Sequence, residues 1–204
     1  PEFGNFVEVN ENGQDRNLNI FLKVNQELRK QNVKEIFSHT RSSDESIYWK
    51  GSFIRLPKAA RKAGFADLRE YRYNRQAIDH QYHMGVDLAS VSHAPVPAAN
   101  NGKVVFAGSI GIYGNTIIVD HGFGLFSTYS HLNDMSVEKG QMVKKEEIIG
   151  TTGTSGLAGG DHLHFGMIVH NTFVNPVEWW DGKWIKNNIT EKINSARSVP
   201  AASK

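Results

Sequence analysis

A chain of 204 residues, 39% of them apolar, is long enough for one medium domain plus an accessory segment. It has no cysteine, which excludes disulfide frameworks, thiolate metal sites and thiol catalysis. No apolar window is long enough for a membrane-spanning helix, and a formal net charge of +2 gives no sign of a nucleic-acid surface, suiting at most loose attraction to an anionic polymer.

The opening Pro1-Glu2-Phe3 reads as a cloning remnant ahead of a trimmed natural N-terminus, so a missing leader carries no weight. Residues 18–24 fit a strand or the start of a helix. Residues 26–37 place Leu28, Val33 and Ile36 near helical spacing, which predicts a helix. Residues 38–46 are turn-rich and mark a boundary near residue 47. Short runs rich in Val, Ile, Phe, Tyr and Thr follow at 103–107, 116–120, 125–131 and 163–169. Turn signals separate them: Asn100-Asn101-Gly102, Tyr113-Gly114-Asn115, His121-Gly122-Phe123-Gly124 and the stretch 151–160. The pattern predicts a mainly β, antiparallel domain rather than alternating βαβ units. The glycine-rich stretch 151–160 lacks the Gly-Lys-Ser/Thr ending of a phosphate loop and precedes a strand, so a mobile connection is expected there. Trp179, Trp180 and Trp184 are expected to cap the sheet rather than stack on sugars. The last dozen residues are expected to be disordered.

The nine histidines carry the chemical signal. Side chains two apart share a strand face, so His162 and His164 point the same way, with Cα atoms about 6.5–7 Å apart. Leu163 then points toward the core. One imidazole can bind a metal while the other stands beside the reacting centre. His83 and Asp87 are four residues apart, about 13 Å on an extended strand, so with bonds of about 2 Å they could barely converge on one ion. The backbone must bend between them, and Gly85 sits at the midpoint, where a bend costs least. Two histidines plus one carboxylate leave a fourth position open, as catalytic zinc requires. His80 is the alternative ligand, three residues before His83. His131 ends a strand run with Tyr129 two residues earlier on the same face. His39, His93, His121 and His170 read as structural.

The segments His83-Met84-Gly85-Val86-Asp87, Tyr129-Ser130-His131-Leu132 and His162-Leu163-His164-Phe165-Gly166, in that order, resemble the lysostaphin/LytM-type peptidoglycan metallopeptidases. Flanking text agrees: Gly114-Asn115-Thr116, Val119-Asp120-His121-Gly122 and Asn175-Pro176. The resemblance spans about residues 48–185 and leaves 1–47 unmatched. It implies a compact antiparallel β-sheet peptidase domain with a groove over the sheet, preceded by a small accessory segment (1–47) and followed by a tail (186–204). It implies zinc held by His83, Asp87 and His164, with His131 and His162 serving catalysis.

Peptidoglycan peptides are the implied substrate and a D,D-endopeptidase of the periplasm or cell envelope the preferred reading, with any membrane anchor outside this sequence. Asp161 is a candidate second-sphere partner of a ligating histidine, and Tyr129 either orients a catalytic histidine or packs. The accessory segment is expected to block or shape the groove. The alternatives are a degenerate relative that binds wall and activates another hydrolase, and a structural zinc site. Retention of all five residues disfavours the first, and absence of cysteine disfavours the second.

Overall fold

The computed structural model describes residues 16–197. Helices α1 (Arg16–Lys23) and α2 (Arg29–His39) are joined by one widened π turn, Val24–Leu28, into a single rod. Of the two readings open for residues 18–24, helix prevails. The β region begins with β1 (Ala60–Ala63), β2 (Leu68–Tyr73), β3 (Gln76–Tyr82), β4 (Val86–Ala89) and β5 (Pro95–Pro97). It continues through β6 (Gly102–Ile110), β7 (Gly114–Asp120), β8 (Leu125–Met135) and β9 (Met142–Val143). The last strands are β10 (Ile148–Thr152), β11 (Leu163–Val169) and β12 (Thr172–Val174). Short helices α3 (Pro176–Trp179), α4 (Gly182–Ile185) and α5 (Glu191–Arg197) close the described chain. None of the described helices is long and apolar enough to cross a membrane.

Among the described residues, ten strands form one antiparallel sheet whose spine runs β1-β4-β11-β8-β7-β6-β9. Strands β2 and β3 form a separate hairpin. Both sheet faces are covered, and the period of two sorts the side chains between them. Ile117, Val119, Tyr129, Phe165 and Met167 face one core together with Phe53, Leu56, Trp179 and Ile185. Ile118, Phe126 and Ile168 face the other, against Val24 and Ile36 of the helical rod. Burying each such aliphatic side chain is worth about 1.5–3 kcal/mol, enough to hold the rod on the sheet.

The rod is located by a close approach. Asn32 Oδ1 accepts from Ile112 N at 2.9 Å, and a Cβ on Gly111 would meet that amide oxygen at 2.3 Å. Phe21 packs on Tyr71 at 5.3 Å, and Asn25 Nδ2 donates to Asp79 Oδ2 at 2.6 Å, joining the rod to the β2–β3 hairpin.

The tryptophans cap the sheet as expected. Trp179 is buried against Phe53 at 5.6 Å, and Trp180 stacks on Phe165 at 6.1 Å. The disorder expected over the last dozen residues does not hold for its first part, because α5 carries helix through Arg197. The remainder of that stretch, and the reading of Pro1-Glu2-Phe3, lie outside the described residues.

Candidate active site

On the face that the rod covers, the sheet changes character along its length. Phe126 and Ile168 lie beneath the rod, whereas Ser130 and His164, further along the same strands, lie beyond it. Asp87 of β4 sits directly opposite His164 of β11 in the sheet register, so two candidate ligands are neighbours by strand pairing alone. His83 follows β3, where its backbone N–H donates to Asp67 O at 3.0 Å.

The three side chains converge. His83 Nε2 lies 2.9 Å from Asp87 Oδ1 and 2.9 Å from His164 Nδ1. His164 Nδ1 lies 3.0 Å from Asp87 Oδ1. Among the described residues, these three are the group of acids and histidines able to share a metal ion. Donors bound tetrahedrally at about 2 Å stand about 3.3 Å apart, so a few tenths of an ångström of spreading would admit zinc. The donor set, two imidazoles and one carboxylate, suits zinc and leaves a coordination position open. His83 Nδ1–H donates to Gly64 O at 2.7 Å, which turns the Nε2 lone pair toward the cluster.

The chain bends at Gly85, as the sequence led one to expect, and the missing side chain serves a second purpose. Its φ is outside the left-handed region. A Cβ there would lie 2.7 Å from both Cε1 and Nε2 of His164 and 2.7 Å from Phe165 O. The missing side chain is the space in which the His164 ring lies. His164 Nε2 is buried there without a hydrogen-bond partner among the described residues.

Electrostatics follow the geometry. Burial alone would raise the Asp87 carboxyl, but hydrogen bonds and charge from His164 and His83 outweigh it and hold the carboxyl far below the usual carboxylate range. Arg69 Nη2 donates to the second oxygen, Oδ2, at 2.8 Å. Burial pushes His164 down despite Asp87.

His131 reaches the site through a break in β8. Ile117 pairs with Tyr129 and Asn115 with Leu132, so Ser130 and His131 together oppose Thr116. That bulge carries His131 at φ +63°, a conformation few non-glycine residues adopt. It turns the imidazole to the site face, where its ring lies 4.8 Å from His162 and 5.9 Å from His164. Its Nδ1–H donates to Ser155 O at 2.8 Å, and burial pushes it down to about 3. His162 is anchored the same way, Nδ1–H to Gly160 O at 2.7 Å. Its Nε2 stands 3.6 Å from Asp87 Oδ1.

Three sequence expectations need correction. Tyr129 does not share a face with His131, because the bulge separates them. Its hydroxyl accepts from Ala99 N at 2.8 Å and Ser127 Oγ at 2.9 Å inside the core, and burial pushes it up to about 12. Asp161 holds no ligating histidine. It accepts from Ser92 Oγ, His93 N and Thr152 Oγ1 and so fixes the loop before β5. The stretch 151–160, expected to be a mobile connection, is bonded in place: Ser155 Oγ donates to Leu132 O and accepts from Asn115 N, and Leu157 N donates to Ile112 O. His80 lies outside the cluster, exposed beside Glu70 on the β2–β3 hairpin.

Other residues at the site carry no motif in the sequence. Tyr113 packs edge-on to His164 at 5.7 Å, and burial raises its phenol. Arg29 of the rod and Arg69 of β2 line the same cavity of about 130 Å³ as the five histidine and aspartate residues. The carbonyls of Gly64, Ser155 and Gly160 set three imidazoles by backbone alone, and only the glycine-rich text around two of them hints at it.

Comparison with known proteins agrees with this geometry. The profile of peptidase family M23 matches residues 81–176, which include all five residues. The DD-carboxypeptidase/endopeptidase Mpg of Neisseria meningitidis is 35% identical over 109 residues, 52% of this chain and 25% of that protein. The peptidoglycan DD-endopeptidase ShyB of Vibrio cholerae is 32% identical over 131 residues, 62% of this chain and 30% of that protein. The chain thus spans less than a third of the length of either relative. The catalytic domain of lysostaphin from Staphylococcus simulans superposes with a TM-score of 0.53 at 28% identity, over 63% of this chain and 96% of that domain. The segment that carries this His-Asp-His cluster matches peptidase family M23, and the domain around it is similar to the lysostaphin/LytM type.

Proposed function

We propose that the chain is a zinc-dependent endopeptidase that hydrolyses peptide bonds of peptidoglycan, with D,D cross-links as its targets. Residues 48–185 form the catalytic domain in this reading, and the segment before them closes one end of its groove. The observation that carries it is the convergence of His83 Nε2, Asp87 Oδ1 and His164 Nδ1 within 3.0 Å of one another, beside two imidazoles that are not part of the cluster. The relatives' names supply the substrate class, which implies action in the periplasm or cell envelope.

Bound zinc would polarise the scissile carbonyl and acidify the attacking water. The protein's own part is proton handling. His131 bonds Ser155 O through Nδ1–H, so Nε2 keeps its lone pair. Burial keeps the ring neutral at physiological pH, which leaves the lone pair free but weakens it as a base, so proton acceptance depends on a water made more acidic by the metal. The same burial makes the protonated ring a strong acid, which favours passing that proton to the leaving amine. His162, with Nδ1–H tied to Gly160 O, lines the same cavity and is the second catalytic histidine of this reading, placed to hydrogen-bond the attacking water or the developing oxyanion.

The test is digestion of defined muropeptides by the metal-loaded protein, with products identified by mass spectrometry. The reading expects D,D-cross-linked dimers to be split into monomers. Release of peptide from neither D,D-cross-linked nor glycine-bridged material would overturn it and favour a wall-binding protein that does not cut.

A further inference from the structure

The helical rod does more than cover the apolar end of the sheet face. Arg29 follows the π turn Val24–Leu28 and lines the cavity that holds Asp87, His131 and His164. Such turns recur at functional sites, where one extra residue re-aims a side chain. The guanidinium is fixed from behind. Its Nε donates to Asn25 O at 3.2 Å and Nη2 to Asn25 Oδ1 at 2.6 Å. Asn25 is fully buried and is held in turn by Asp79, which also accepts from Gln26 and Gln81. Arg69 enters the same cavity from the hairpin, with Nη2 on Asp87 Oδ2. Two guanidiniums therefore meet one carboxylate among the cavity's lining residues, and that carboxylate already belongs to the His-Asp-His cluster. With two of its five N–H groups used, Arg29 keeps donors in a fork geometry that matches a carboxylate.

We propose that Arg29, supported by Arg69, is a specificity-determining residue that binds a free carboxylate adjacent to the scissile bond of the substrate. The proposal rests on the peptidase reading of the site. It separates the two kinds of wall material named in the digestion test, D,D cross-links and glycine bridges. A D,D peptide bond has a carboxylate on the carbon that bears the leaving nitrogen, either at a chain terminus or on a cross-linked diamino acid. The interior of a glycine bridge has none. The rod thereby becomes part of the substrate site, and the hairpin network through Asp79 positions it.

Two substrate pairs test this: a stem peptide ending in D-Ala-D-Ala as free acid or terminal amide, and a cross-linked dimer with the diamino-acid carboxylate free or amidated. Binding to the zinc-loaded protein is measured by calorimetry, and cleavage by chromatography. The wild type is expected to prefer the acid at least about tenfold in one or both pairs, and the preferred pair identifies the source of the carboxylate. Arg29→Gln is expected to reduce that preference to near unity through KM or Kd, with zinc content and melting temperature unchanged. Arg29→Lys, which keeps the charge and loses the fork, is expected to lie between. If Arg29→Gln melts early, Arg29→Lys and the wild-type acid–amide ratio still decide. Equal handling of acid and amide by the wild type overturns the proposal, as does an equal loss on both in Arg29→Gln. Acid–amide discrimination in binding without cleavage would uphold the carboxylate site and refute the peptidase reading, whereas cleavage without discrimination would do the reverse.

Discussion

Gly85 and His164 share one space: a Cβ on residue 85 would stand 2.7 Å from His164 Cε1 and Nε2. That ring offers Nδ1 to the cluster from the other side. Backbone and imidazole are thus packed against each other, and the side chain least able to change is one with no atoms beyond Cα. Gly85→Ala is expected to push His164 off its position and to weaken zinc binding by about 10–100-fold, the scale of losses from disturbed ligand support. Zinc titration by calorimetry checks it, with Val86→Ala as a control for core loss alone. Unchanged zinc affinity in Gly85→Ala would show that the ring has room to shift.

His131 occupies a left-handed backbone position in the β8 bulge, which costs a non-glycine residue about 1–2 kcal/mol. A costly conformation that aims an imidazole at the cluster is expected at a residue that acts on the reaction. His131→Ala should lower kcat by about 10²–10⁴-fold while the protein retains its zinc. His131→Gly should show the same loss of rate with equal or higher thermal stability than His131→Ala, because glycine tolerates the φ. Loss of zinc in either variant would make His131 a ligand instead.

The pH dependence of stability is set in part far from the site, by His121. It is fully buried, with Nδ1 2.7 Å from Asn101 O and Nε2 2.7 Å from Ser127 Oγ, and burial pushes it down to about 4. An unfolded imidazole titrates near 6.5, so below that pH the unfolded chain takes up a proton that the folded chain refuses. Stability from this group is full above about pH 6.5 and falls as the pH drops toward 4. The loss is of order 3 kcal/mol for His121 alone. Burial depresses His131 and His164 in the same direction, adding to the acid sensitivity of the metal-free protein. Urea midpoints at pH 7 and pH 4.5, measured in chelator, should fall less in His121→Gln than in the wild type. An identical fall would remove His121 from the account.

Ile36 is 1% exposed between the helical rod and the sheet, in the core that also contains Ile118, Phe126 and Ile168. Ile36→Ala should cost about 2–5 kcal/mol and loosen the rod that carries Arg29. A denaturation curve gives the first quantity, and hydrogen exchange along residues 24–39 gives the second. A loss below about 0.5 kcal/mol would mean that the rod and sheet do not share a core in solution.

Much of the sheet was legible because its strands alternate between two buried faces and are rich in β-branched residues. The run read at 163–169 coincides with β11, and Leu163 is buried as its position in the strand required. The pairing of His162 with His164 on one face followed from the same period. The orientation of His131 did not, because a bulge adds a residue and reverses the alternation, and no residue type in Tyr129-Ser130-His131-Leu132 signals one. The bend at Gly85 was legible, whereas the room that this residue leaves for His164 was not. The anchoring carbonyls of Gly64, Ser155 and Gly160 belong to the backbone and so leave no trace in side-chain spacing. The helix over 26–37 was visible by its periodicity, yet where it docks depends on Asn32 meeting Gly111, a contact between residues 79 positions apart.

The most direct test of the central claim is zinc stoichiometry and affinity in the wild type and in Asp87→Ala, by elemental analysis and calorimetry on the same samples. One zinc per wild-type chain is expected, with at least about tenfold weaker binding in Asp87→Ala. A wild-type protein that binds no zinc, or an Asp87→Ala variant that binds it as tightly as the wild type, would contradict that claim.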